Sequence, residues 1–315
     1  MKHFSLVMML SIAYASNFAL GTVIGTPPNI AYANYISEKF NYIIGFTDWM
    51  IVFMPLTIVL MLILYWVLIK MYPNRITQND AGKEYINGEL LKLGALRVAE
   101  KRVLAIFITT IFFWISKDLI NGLQHTVQLD DSIIALCGAI GMFITSAGNP
   151  SSKEERLLEW PDTSRMAWGI LILFGGGIAL AKALEDVKLM DQLGTYIASY
   201  STGNTFLMIL IVTTVSVFLS ELMSNVAQVI VMSPVITSVA LALHMDPLIL
   251  GIPMTLGASC ASMLPMGTPP NAIVFASGHI KIRDMLKTGF VLNIICIILI
   301  SLFCYLLEPL ILKLN

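Results

Sequence analysis

The pentapeptide Gly-Thr-Pro-Pro-Asn occurs twice, at Gly25 to Asn29 and at Gly267 to Asn271, each time inside a long apolar stretch. Two consecutive prolines remove two backbone donors, hold φ at about −65° and clash with the preceding helical turn. The glycine ahead of them adds conformational freedom. Neither apolar stretch can therefore run through as one straight helix, and the fold has to place two interrupted helices. In water such an interruption is an ordinary loop, so its meaning depends on the solvent the chain lives in.

Composition identifies that solvent as lipid. Hydrophobic residues make up 57% of the 315 and charged residues 12%, and mean hydropathy is +0.80, whereas a soluble domain carries roughly 25% charged residues. Apolar runs near the length needed to cross hydrocarbon recur at Phe4 to Ile36, Trp49 to Ile69, Val103 to Ile120, Ser132 to Ala147 and Trp168 to Leu184. They continue at Thr205 to Leu219, Val226 to Leu243, Pro247 to Phe275 and Met285 to Leu312. The expected fold is an all-α polytopic membrane protein. The first run has no small-residue cleavage pattern and extends past Pro27, so no cleavable signal peptide is read there. Cys137, Cys260, Cys296 and Cys304 all fall in apolar segments without metal spacing, which points to packing rather than to a disulfide framework or zinc.

Basic residues orient the chain. The loop from Lys70 to Arg102, the loop holding Lys153, Arg156 and Arg165, and the loop holding Lys281, Arg283 and Lys287 are the Lys/Arg-rich ones and are expected in the cytoplasm. Consistent crossing then requires an even number of passes between Leu184 and Pro247. A re-entrant hairpin over 205–243, with its turn near Ser224, supplies them. With that count the two pentapeptide helices cross in opposite directions, which makes an inverted repeat. The division expected is a broken transmembrane helix of the first repeat over 1–46, and a transmembrane helix plus cytoplasmic surface segment over 47–102. The second repeat follows over 103–315, with hairpin 205–243, broken helix 247–278 and last helix 285–312.

Inverted repeats with broken helices are how many secondary transporters build a site near the bilayer midplane, where freed carbonyls face cations and helix N-termini face anions. Enzyme chemistry fits less well. No His-Glu metal helix and no serine-histidine pair lies within a span, since His125, His244 and His279 fall near span ends and His3 at the terminus. Gly175-Gly176-Gly177 has no preceding strand and no lysine at P-loop spacing. Lys182, Glu185, Asp186 and His279 read as interfacial residues. Glu221 is the one acid beside the expected hairpin tip, where a functional role and a purely structural one are both open. Taken alone, Ser224-Asn225 would be a helix cap or a polar contact between helices.

The stretches SELMSNVAQVIVMSPVI (Ser220 to Ile236) and SCASMLPMGTPPNAIVFASGHI (Ser259 to Ile280) resemble the C-terminal signature of the divalent anion:sodium symporters. IAYASNFALGTVIGTPPN (Ile12 to Asn29) and WGILILFGGGIALAKAL (Trp168 to Leu184) resemble further segments of that family. The resemblance covers nearly the whole chain. It implies an elevator-type carrier, dimeric when full-length, that moves a small divalent anion with Na+ as coupling ion and has no nucleic-acid partner. The expected cargo is a C4-dicarboxylate such as succinate or malate, with sulfate or citrate as alternatives. It further implies that Ser224 and Asn225 form a hairpin tip, and that Ser220, Asn225 and the carbonyls of Met223 and Gly267 ligate one sodium. Val226, Thr268, Pro269, Thr26 and Pro27 would line the substrate site, and Gly25 would belong to a partial first sodium site.

Two departures from the family pattern stand out. The family's first repeat has its own serine-asparagine-threonine hairpin upstream of the first Pro-Pro-Asn helix. This chain starts too late to include it, so it is expected to be a C-terminal portion of a carrier or an accessory membrane subunit without transport of its own. Val226 stands where the family usually has threonine, which removes one hydroxyl from the expected substrate site.

Overall fold

The structure is a computed structural model of the chain, and it describes residues 2–73, 87–123 except 89, 129–148, 155–165, separate positions between 168 and 196, and 203–311. Most of the expected span from Trp168 to Leu184, including Gly177, Lys182 and Glu185, lies outside the described residues. The principal helices in chain order are α1 (Lys2–Asn17), α2 (Pro27–Phe40), α3 (Phe46–Met71), α4 (Val98–Leu123) and α5 (Asp131–Ile144). They continue as α6 (Thr205–Leu222), α7 (Asn225–Ala242), α8 (Pro247–Ser259), α9 (Pro269–Ala276), α10 (Ile282–Leu306) and α11 (Glu308–Ile311). Among the described residues there is no named β-strand, only an isolated bridge between Ser146 and Arg156. The protein is an all-α, multi-pass membrane protein.

Two compact units are distinguished, Met1–Asn74 with Gly169–Asn315, and Arg75–Trp168. In the first, both pentapeptide segments break as their prolines require: α1 ends at Asn17 and α2 begins at Pro27, while α8 ends at Ser259 and α9 begins at Pro269. Among the described residues four helices, α3, α6, α7 and α10, are long and apolar enough to cross a membrane. Helix α3 shows why such a segment suits lipid. Asp48 sits in its first turn and Lys70 in its last, each complementing the helix dipole. Between them one face buries Trp49, Phe53, Leu56 and Leu60, and the other exposes Ile51, Leu62, Tyr65 and Trp66. The Lys70 ammonium lies 4.5 Å above the Trp66 ring, an arrangement suited to an interfacial belt.

Small residues let the helices of this unit approach closely. A Cβ on Gly251 of α8 would collide with the Tyr32 ring of α2, and one on Gly289 of α10 with the Ser262 carbonyl. Tyr32 reaches back through its hydroxyl to the Pro247 carbonyl at 3.0 Å, which satisfies its buried polar end.

Over the segment read as a hairpin the structure places α6, a two-residue turn at Met223–Ser224, and α7. Each arm has 18 residues, or about 27 Å at the helical rise, and α8 packs along both. The first arm runs to Leu222 rather than stopping with the apolar run at Leu219. Ser220 and Glu221 end the apolar pattern but stay helical, because both polar side chains find partners inside the protein.

The second unit is a helical pair with its own fastenings. Lys117 of α4 pairs with Asp131 of α5 at 3.0 Å, and Trp114 donates its indole N–H to the Asp131 carbonyl. Asn121 bonds both backbone groups of Leu129. The apolar groove between α4 and α5, about 420 Å³, is lined by residues such as Ile106, Phe113 and Ile133 and offers little polarity for an anion.

Candidate functional site

The loops that precede α2 and α9 share one internal pattern. In the first, the Thr22 carbonyl accepts the Gly25 N–H at 3.1 Å and the Asn29 side-chain amide at 3.0 Å. In the second, the Leu264 carbonyl accepts the Gly267 N–H and the Asn271 side-chain amide, both at 3.2 Å. Thr22 and Leu264 stand at the same distance from their pentapeptides, and Asn29 and Asn271 are both fully buried. In both copies the threonine is an extended N-cap and the prolines occupy the first helical positions, where a missing N–H costs nothing. The motif thus folds its own loop around one carbonyl, with the asparagine closing it.

The copies also contact one another reciprocally. Asn17, at the end of α1, donates to Asn271 Oδ1 at 3.2 Å and to the Ala261 carbonyl at 3.1 Å. Ser259, at the end of α8, donates to Thr26 Oγ1 at 3.2 Å. Asn17 and Ser259 hold the same place relative to their pentapeptides. Helix α1 packs on α9 as α8 packs on α2. Such exchange of equivalent surfaces is what two-fold related units produce.

The hairpin tip meets the second loop. Ser220 Oγ lies 2.6 Å from Asn225 Oδ1 and 2.6 Å from the Ala258 carbonyl oxygen. The Ser220 hydroxyl thus lies between the Asn225 side-chain amide and a backbone carbonyl. Gly267 sits against the same spot, its missing Cβ 3.5 Å from the Ser220 carbonyl oxygen. Met223, extended at the end of α6, turns its carbonyl out of the helix ladder. A set of hydroxyl, amide and carbonyl oxygens is what a hard cation takes.

Glu221 lies next in the chain and is 3% exposed. Its Oε1 accepts the N–H groups of Ser262 and Met263 at 2.8 Å and the Asn293 side-chain amide at 2.7 Å, and its Oε2 accepts the Leu264 N–H at 2.9 Å. The carboxylate therefore fills a nest of three consecutive backbone donors in the second loop. Asn293 of α10 is a fourth donor to the same carboxylate.

Anion-binding capacity lies elsewhere in the site. Prolines at the start of α2 and α9 leave those N-termini short of donors, whereas α7 opens with Asn225 and Val226 after Ser224 and keeps its free N–H groups. Ser224 is exposed, Asn225 half-buried and Val226 buried. Pro27 and Pro269 are both exposed, while Thr26 and Thr268 are buried. Thr268 accepts the Asn271 N–H as a helix cap, at 3.4 Å. Gly25 is exposed and Gly267 is buried.

Of the residues expected at the site, the structure gathers Ser220, Asn225 and Gly267 around one point, and brings Thr26 against Ser259. Asn17, Ser259, Ala258 and Asn293 were not among them. The offset shared by Asn17 and Ser259 was readable from the two aligned pentapeptides. The carbonyl of Ala258 and the partner role of Asn293 have no sequence signal of their own.

A family model described as "Sodium:sulfate symporter transmembrane region" matches residues 1–312. The chain is similar to a sodium-dependent dicarboxylate transporter, SdcS, of Staphylococcus saprophyticus, with 35% identity over 310 residues, 97% of this chain and 59% of that protein. It is likewise similar to SdcS of Staphylococcus aureus strain USA300, with 35% identity over 318 residues, 100% of this chain and 61% of that protein. The chain thus spans about three fifths of the length of these relatives.

Proposed function

The chain belongs to the sodium:sulfate symporter family, and from that premise we propose that it forms part of a sodium-coupled carrier for a small divalent anion, a C4-dicarboxylate such as succinate or malate. The observation that carries this reading is the polar cluster of the Ser220 hydroxyl, the Asn225 amide and the Ala258 carbonyl, closed by Gly267. In this reading Ser220, Asn225 and the carbonyls of Met223 and Gly267 hold sodium, and the adjacent α7 N-terminus with Ser224, Val226, Thr268 and Pro269 holds one end of the anion. Thr26, Pro27 and Gly25 belong to the matching half-site of the first repeat. Bound sodium supplies positive charge that an arginine-free anion site needs, so anion affinity depends on sodium through shared geometry.

The reciprocal contacts of Asn17 and Ser259 support an inverted pair of repeats with a re-entrant hairpin at 205–243. The broken-helix part moves as a body against a scaffold, and the complete carrier is a homodimer. The dicarboxylate in the names of the SdcS proteins favours succinate or malate over sulfate or citrate. The alternative reading is an accessory membrane subunit without transport of its own. Uptake of labelled succinate into proteoliposomes, with and without a sodium gradient, separates the two. The carrier reading expects sodium-dependent uptake, from this chain or from it joined to an upstream portion. Asn225→Ala abolishes that uptake without impairing membrane insertion. Full sodium-dependent uptake in the variant removes Asn225 from the site.

A further inference from the structure

We infer that Glu221 is a positioning residue for the cation site: its carboxylate holds the loop between α8 and α9 against the hairpin tip, so that Gly267 closes over Ser220 and Asn225. The inference rests on the sodium reading proposed above. Glu221 directly follows Ser220, so one turn of α6 supplies both a site oxygen and the strut beside it. The strut leads to the site through a single residue. Leu264 donates its N–H to Glu221 Oε2 at 2.9 Å, and its carbonyl takes the Gly267 N–H and the Asn271 amide at 3.2 Å. Any shift of the carboxylate therefore displaces the carbonyl around which the loop is folded. Asn293 donates to the same carboxylate at 2.7 Å and extends the connection to α10.

Charge adds to geometry. Among the described residues the hydrogen-bond partners of the Glu221 carboxylate are three backbone N–H groups and one amide, all neutral. Its Oε2 lies 3.4 Å from the place a Gly267 Cβ would occupy, on the side that faces Ser220. A buried anion with only neutral donors is stabilised by a cation nearby, and its field in turn favours that cation. Loop placement and cation binding thus reinforce each other. Among the described residues the first loop has no such carboxylate: there the fastening is the Trp49 indole N–H on the Leu20 carbonyl, at 2.9 Å.

The test is thermal unfolding of the purified full chain in detergent micelles, titrated with sodium chloride against choline chloride at constant ionic strength. A ligand that binds only the folded state raises the melting temperature with its own concentration dependence. Glu221→Gln keeps the size but removes the charge and turns an amide toward three N–H donors. It is expected to raise the sodium concentration needed for half the shift by about tenfold to a hundredfold, the range seen for groups that orient metal ligands. Glu221→Asp, which keeps the charge, recovers part of that loss. A Glu221→Gln protein that melts lower by the same amount at every sodium concentration, with the wild-type midpoint, overturns the proposal and leaves Glu221 a purely structural strut. Should Glu221→Gln fail to fold, Asn293→Ala, which removes one donor of four, carries the same test, and an unchanged sodium midpoint overturns it. A wild-type chain that responds identically to sodium and choline overturns the sodium reading itself, and the Glu221 proposal falls with it.

Discussion

The loop before Pro27 and the loop before Pro269 fold around one carbonyl in the same way, yet they are fastened by different partners. In the first, Trp49 of the following helix donates to a loop carbonyl, and Gly25 stays exposed. In the second, Glu221 of the hairpin accepts from three loop N–H groups, and Gly267 is buried beneath Ser220 and Glu221. The difference teaches that the pentapeptide encodes a loop shape, while other elements of the fold decide what fastens and covers that loop. Among the described residues no hairpin covers Gly25, and only the second loop has the oxygen cluster beside it.

The asparagines give the widest test of that contrast. Among the described residues the Asn271 side chain bonds Ala261, Leu264 and Asn17 within the core, whereas the Asn29 side chain bonds Thr22 alone and its Oδ1 has no partner. Asn271→Ala is expected to cost about 3 kcal/mol and Asn29→Ala about 1 kcal/mol, from the penalty for stranded buried polar groups. Unfolding in micelles measures both, and equal losses would break the comparison.

The glycines separate shape from cover. A Cβ on Gly25 would collide with the Ala19 carbonyl oxygen, while one on Gly267 meets its nearest atom at an ordinary 3.4 Å. Gly25→Ala should therefore cost about 2 kcal/mol, within the range for overpacking, and Gly267→Ala less than about 1 kcal/mol. The reverse order in the same unfolding assay would mean that the second loop, and not the first, is the tighter one.

Smaller still is the effect expected at the reciprocal contacts. Ser259→Ala removes one hydrogen bond to Thr26 and should lower stability by about 1 kcal/mol, with Thr26→Ala adding little further loss in the double variant because the two share that bond. Additive losses would show that the Ser259–Thr26 contact does not join the repeats. Val226→Thr should change stability by less than about 0.5 kcal/mol while altering the preference among succinate, citrate and sulfate in competition assays. Identical preferences would place Val226 away from the anion.

Much of this architecture was legible in the sequence because prolines and apolar runs act locally. Pro27-Pro28 and Pro269-Pro270 fixed where α2 and α9 begin, and the turn near Ser224 was marked by polar residues between apolar arms. The end of α6 was missed by three residues because a polar side chain ends an apolar run without ending a helix when it has an internal partner, as Ser220 and Glu221 do. The fastenings were not legible for a different reason. The carbonyl of Ala258 belongs to a residue whose side chain says nothing about ligation, and Asn293 is remote in sequence from the carboxylate it holds.

The central claim, that the hairpin tip and the second loop make a sodium site within this chain, is tested most directly by equilibrium binding of radioactive sodium to the purified protein. Saturable binding that Asn225→Ala abolishes and Thr26→Ala leaves intact is the predicted result. Absence of saturable binding, or binding that survives Asn225→Ala unchanged, would contradict it.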